Sequence, residues 1–66
     1  MPRPYTEGTD VIVHYLGTTE TGVVERVEDE GRVIVVVTDT GNVLEFHLMA
    51  STHYFTRDRS ARLSVR

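Results

Sequence analysis

The sequence predicts an all-β domain, a five-stranded antiparallel barrel with little or no helix, on three observations. Short valine-rich runs recur along the chain, separated by glycines and acidic clusters. No window of ten or more residues keeps the three-and-four apolar spacing of an amphipathic helix without a glycine interrupting it. The 66 residues make one small domain, which buries only about 60% of the surface its unfolded chain exposes. Five short strands are too few for two stacked sheets and are best satisfied by one bent sheet closing on itself. Residues 8–66 are read as this domain and residues 1–7 as an N-terminal arm.

The first strand is expected over Asp10 to Leu16, with Val11, Val13 and Tyr15 on one face and Ile12, His14 and Leu16 on the other. The segment Leu16 to Gly22 reads as a loop. The second strand, Gly22 to Glu28, buries Val23 and Val27 or Val24 and turns Arg26 and Glu28 outward. The third, Arg32 to Thr38, contains five consecutive β-branched residues, the composition of a central strand covered on both faces or sharply bent. The fourth, Val43 to Met49, alternates, with Leu44, Phe46 and Leu48 inward. The fifth is split: Thr52 to Phe55, a polar turn at Arg57-Asp58-Arg59-Ser60, then Ala61 to Arg66 with Ala61, Leu63 and Val65 inward and beside the first strand. The expected core is Val11 or Ile12, Val24, Val35, Leu44, Phe46, Leu48, Leu63 and Val65. Glu28-Asp29-Glu30-Gly31 and Asp39-Thr40-Gly41 place glycine where a short hairpin needs positive φ, so Gly31 and Gly41 are expected there. In the second of these, Asp39 is expected to cap its own turn.

Composition excludes several chemistries. Without cysteine there are no disulfides, thiolate nucleophiles or sulfur metal ligands. All seven basic residues are arginine, which removes Schiff-base and lysine general-base mechanisms and suggests a GC-rich bacterial or phage genome. No apolar run approaches the roughly 18 residues of a membrane span, and Met1-Pro2-Arg3-Pro4 does not lead into a signal sequence. A cytoplasmic protein without membrane contact is expected. Histidines 14, 47 and 53 lack the spacing of a metal site, and the chain has neither a nucleophile elbow nor a glycine-rich phosphate loop. Neither catalysis nor a metal or cofactor is expected.

The segment GTDVIVHYLGTTETGVVERVEDEGRVIVVVTDTGNVLEF, residues 8 to 46, resembles the SH3-like barrels of the Tudor and KOW type. The likeness lies in Gly8, Asp10 and Val11, then Gly17, Gly22 to Val24, Val33 to Val37, and Asp39 to Gly41. Gly8 to Glu28 is also similar to the polymerase-binding Tudor-like domain of CarD-type transcription regulators. The resemblance implies an SH3-like barrel and a binding role. In Tudor domains that read methylated side chains, cage aromatics lie near positions matched by Tyr15 and Phe46; KOW modules contact RNA, ribosomal components or polymerase.

Charge is segregated: residues 1–50 carry three arginines against nine acids, and residues 51–66 carry Arg57, Arg59, Arg62 and Arg66 against Asp58 alone, for a net charge of −3. The first functional reading is a non-catalytic module that binds a protein or peptide through an edge strand, the Leu16 to Gly22 loop and an exposed Tyr54 or Phe55, with Tyr15, Asp39 and Asn42 as further contacts. A second is a KOW- or CarD-like barrel touching nucleic acid or polymerase through Arg57, Arg59, Arg62 and Arg66. A third is a phage or assembly component that forms homo-oligomers through barrel edges. The net acidity favours the first, with the arginines placed over the acidic half of the domain in surface ion pairs.

Overall fold

The computed structural model describes residues 5–49 and 53–66. Residues 1–4 of the expected arm, and Thr52 at the expected start of the fifth strand, lie outside them. Six strands follow in order: β1 (Asp10–Tyr15), β2 (Thr18–Glu28), β3 (Val33–Thr38), β4 (Val43–Met49), β5 (His53–Phe55) and β6 (Ala61–Val65). Each pairs antiparallel with the next, and β6 pairs back onto β1, closing the barrel. This is an all-β closed barrel, consistent with an SH3-like barrel in general. The strand count is six because the expected fifth strand breaks at its polar turn into β5 and β6, which pair with each other. Closure also removes the edge strand expected as a docking edge, since β1 is paired along its length on one side and along Val11 to Tyr15 on the other.

The core is Val11 and Val13 of β1, Val24 of β2, Ile34 and Val36 of β3, Phe46 of β4, Tyr54, Ala61 and Leu63, with Val27 and Leu44 packed against it. Of the alternatives for β1, Val11 is the inward residue. On β2, Val24 and Val27 both face inward although three apart, because the pairing with β3 slips between Val24 and Arg26. One extra residue in the strand resets the alternation, and Val23 consequently lies on the outside. Val35 is buried, but on the outer side of β3 between Arg26 and Glu45, and Ile34 and Val36 fill the interior in its place. Leu48 and Val65, expected in the core, are 38% and 51% exposed. Each stands beyond the reach of a flanking strand: Leu48 lies past the last β3–β4 pair and Val65 past the two residues of β6 that β5 covers. Tyr5, within the segment read as an arm, packs its ring edge-on against Tyr54 at 5.1 Å and joins the core.

The segment read as a loop from Leu16 to Gly22 is mostly strand. A two-residue turn at Leu16-Gly17 joins Tyr15 to Thr18, and Thr18 to Thr21 pair with Ile12 to Tyr15. Gly17 has φ 86°, which the second position of such a turn tolerates only at small steric cost in glycine. Gly31 and Gly41 have φ 94° and 90°, as their hairpins require.

Candidate functional site

Four of the nine residues singled out for binding, Tyr15, Phe55, Arg59 and Arg62, meet at one end of the barrel, where β1 runs into the Leu16-Gly17 turn and β6 emerges from the β5–β6 turn. β6 pairs on one side with β1, placing Arg62 beside His14, and on the other with β5, placing Arg62 beside Phe55. These three outward residues form one cross-strand row. The row floors an open groove of about 410 Å³, walled by Tyr15 and Leu16 on one side and by Arg59 and Ser60 on the other. Leu16 is fully exposed.

The β5–β6 turn is held by Asp58. Its Oδ1 accepts from Thr56 Oγ1 (2.8 Å), Ser60 N (3.0 Å) and Ser60 Oγ (2.7 Å). These bonds, led by the Ser60 hydroxyl, draw the Asp58 carboxyl down from 3.8 to about 2. Beside it Arg59 sits at φ 60°, a left-handed conformation uncommon for any residue other than glycine. No carboxylate lines the groove, which leaves Arg59 and Arg62 unneutralised there. The three ion pairs among the described residues join Arg26 to Glu25 and Glu28, and His47 to Glu45. Among the described residues, the surface pairs expected between the C-terminal arginines and the acidic strands are not formed.

Tyr15 has two roles. It borders the groove while packing against the core, and its hydroxyl donates to Glu20 Oε1 at 3.0 Å. Thr40 Oγ1 donates to the other Glu20 oxygen at 2.5 Å, and Asn42 Nδ2 donates to Thr40 at 3.3 Å. A polar chain thus joins the groove wall to the β3–β4 turn. Burial, followed by the bond to Glu20 and its negative charge, raises the Tyr15 phenol above its ordinary value.

Asp39 and Asn42 belong to that turn, and the expected self-capping by Asp39 is not what holds it. Thr38 Oγ1 accepts from Asn42 N at 3.1 Å, while Asp39 Oδ2 accepts from Thr21 Oγ1 and ties the turn to β2. Tyr54, one of the two aromatic candidates, is buried, with its hydroxyl donating to Gly31 O at 2.5 Å. Phe55 is the outward one. Phe46 is fully buried, so the Tyr15 and Phe46 cage implied by the Tudor resemblance does not form. The four arginines do not share a patch either. Arg57 lines a separate depression with Leu44, Glu45 and His47, and Arg66 lies at the far end of β1, its N–H donating to Asp10 O.

Sequence reasoning passed over His14 and Ser60 as groove residues and treated Leu16 as the end of the first strand and the start of a loop, without singling it out as an anchor. An apolar residue immediately before a turn glycine was the available signal for Leu16. His14 Nε2 lies 2.7 Å from Ser64 Oγ, and His47 Nε2 lies 2.8 Å from Glu45 Oε1. Among the described residues no three potential ligands gather for a metal ion, and no helix is long and apolar enough to cross a membrane. No family model, curated protein or solved structure matches the chain.

Proposed function

We propose that the protein is a non-catalytic interaction module that binds a protein segment in the groove between the β1–β2 and β5–β6 turns. One observation carries this reading: a fully exposed Leu16, with Tyr15 and Phe55, shares an open groove with Arg59 and Arg62, and no carboxylate lines it. Aromatic and aliphatic surface beside unneutralised guanidinium groups suits a segment with an apolar anchor next to an acidic residue. The groove is shallow and open, and Asp58 is committed to its turn, which also favours recognition over catalysis. SH3-like barrels of the Tudor and KOW type offer a precedent for a binding role.

The test is panning of a random peptide display library against the immobilised protein. Wild type should enrich sequences that combine an acidic residue with an aromatic or aliphatic neighbour. Leu16→Ser and Phe55→Ser should lose them, Arg59→Gln with Arg62→Gln should lose the acidic preference, and Arg57→Gln should change nothing. Enrichment that ignores Leu16 and Phe55 would refute the reading.

Arg59, Arg62 and His14 interleaved with two aromatics support a second reading, a single-stranded nucleic acid laid along the same row. Titration of labelled oligonucleotides at two salt concentrations separates the two. Counterion release makes nucleic-acid binding fall steeply with salt, whereas an apolar peptide anchor loses little.

A further inference from the structure

The closed barrel leaves a short interval of strand edge on β4. The bonds between β3 and β4 fall at even positions of β4: Leu48 N donates to Arg32 O at 2.8 Å, and Asn42 O accepts from Thr38 N at 2.8 Å. Successive residues of an antiparallel strand turn their N–H and C=O to opposite sides. Leu44 and Phe46 therefore bond β3, while Val43, Glu45, His47 and Met49 face the other way. β5 covers His47 with Phe55 and Met49 with His53. Arg57 would stand opposite Glu45 next, but the chain has already turned off, with Thr56 N donating to Ala61 O at 3.1 Å and Arg59 N to Thr56 O at 2.8 Å. Among the described residues, nothing bonds the outward N–H and C=O of Val43 and Glu45.

We infer that this interval binds an extended, uncharged segment of a partner protein, which adds a strand where β5 leaves off. Val43 and Glu45 lie two residues apart, about 7 Å along the strand, and together offer two donors and two acceptors at ladder spacing. A second extended backbone meets all four. The edge opens on the depression of about 410 Å³ that Leu44 and Glu45 share with the β5–β6 turn. Leu44 packs against the core and also lines that depression, so the residue of the segment placed opposite it meets apolar surface. Val43, 63% exposed, offers a second apolar contact on the outside. The charges nearby are already engaged: Glu45 is bonded to His47, Asp58 is held within its turn, and Arg57 offsets one of these two carboxylates. An uncharged segment disturbs none of them.

A second copy of the chain suits this edge less well. The β5–β6 turn walls the depression opposite β4, so a single strand can enter where the flank of another barrel would strike the turn. Backbone bonds from two residues and one apolar contact make a weak site, with a Kd of about 0.1–1 mM.

Amide hydrogen exchange of the full chain, read by nuclear magnetic resonance, tests this with a short, soluble, capped peptide of alternating threonine and valine. In the free protein the amides of Val43 and Glu45 should exchange quickly and those of Leu44 and Phe46 slowly. Peptide at about ten times its Kd should slow exchange at Val43 and Glu45 about tenfold. With a valine over Leu44, the threonine N–H groups are the ones that bond β4. N-methylation of every threonine should therefore abolish the effect, and N-methylation of every valine should leave it. Leu16→Asp, in the groove, should respond like wild type, so this test stands apart from that of the peptide groove. Slow exchange at Val43 and Glu45 in the free protein, slowing that follows protein concentration instead of peptide, no response to peptide, or equal loss from both methylations would each overturn the inference.

Discussion

Gly22 is buried where β2 first meets β3, and replacing it with alanine tests whether close approach there requires glycine. A Cβ built on Gly22 would lie 2.8 Å from Val37 O, 3.1 Å from Thr38 Cα and 3.1 Å from Val36 Cγ1. Two of those atoms are backbone within the paired β2–β3 ladder, whose register begins with Gly22 opposite Thr38, so they cannot swing aside as a side chain would. Overpacking of this kind costs about 1–3 kcal/mol. Alanine returns ~0.4–1 kcal/mol by restricting the unfolded chain where the native backbone suits it, leaving a net loss of about 1–2 kcal/mol. For a domain of this size each kcal/mol lowers Tm by roughly 4–8 °C, so a fall of about 5–15 °C is expected. Thermal melts followed by far-ultraviolet circular dichroism, with urea titrations alongside, provide the assay. Gly17→Ala is the comparison. Open space surrounds its Cβ, and its loss comes from φ 86° instead. A Gly22→Ala protein that melts with or above the parent would refute the close-contact argument and imply that β2 and β3 part more easily than their register suggests.

Other expectations follow from the same structure. Phe46→Ala empties the centre of the core and should cost about 3–5 kcal/mol, leaving so small a domain largely unfolded by circular dichroism at room temperature. The raised phenol of Tyr15 favours the fold in its neutral, donating form, so its contribution is complete below the ordinary value of 10 and lost as pH climbs through the higher folded value. Melts across that range should therefore show an alkaline decline that Tyr15→Phe reduces; Tyr5, raised chiefly by burial, supplies a further part that Tyr5→Phe removes. Asp58 behaves oppositely. Its stabilisation of the β5–β6 turn is complete above 3.8 and lost as pH falls toward about 2, so Asp58→Asn should flatten the acid limb of the stability profile.

What could be read from the sequence was local. The alternation through Val43 to His47, the β-branched run of β3 and the glycines at 31 and 41 depend on neighbours a few residues away, and each is found where expected. The inward choice between Tyr54 and Phe55 stayed open because a three-residue strand alternates too briefly to reveal its phase. The polar stretch Thr18 to Thr21 carries no apolar signal, and only its pairing with β1 makes it strand. The bulge at Glu25, which sends Val24 and Val27 inward together, is likewise set by β3 rather than by β2 itself.

The candidate site divides in the same way. Tyr15, Phe55, Arg59 and Arg62 were visible as residue types, but their convergence depends on β6 lying between β1 and β5, a contact spanning about fifty positions of chain, as His14 beside Arg62 illustrates. The same closure sent Arg57 and Arg66 elsewhere and left Leu48 and Val65 at the rims. The sequence by itself determined which residues prefer extended backbone and which side of most strands is apolar, because those preferences arise from sterics and hydration within each short segment. Only the tertiary structure decided which outward side chains share a surface, because strand pairing brings together residues whose separation along the chain carries no trace of it.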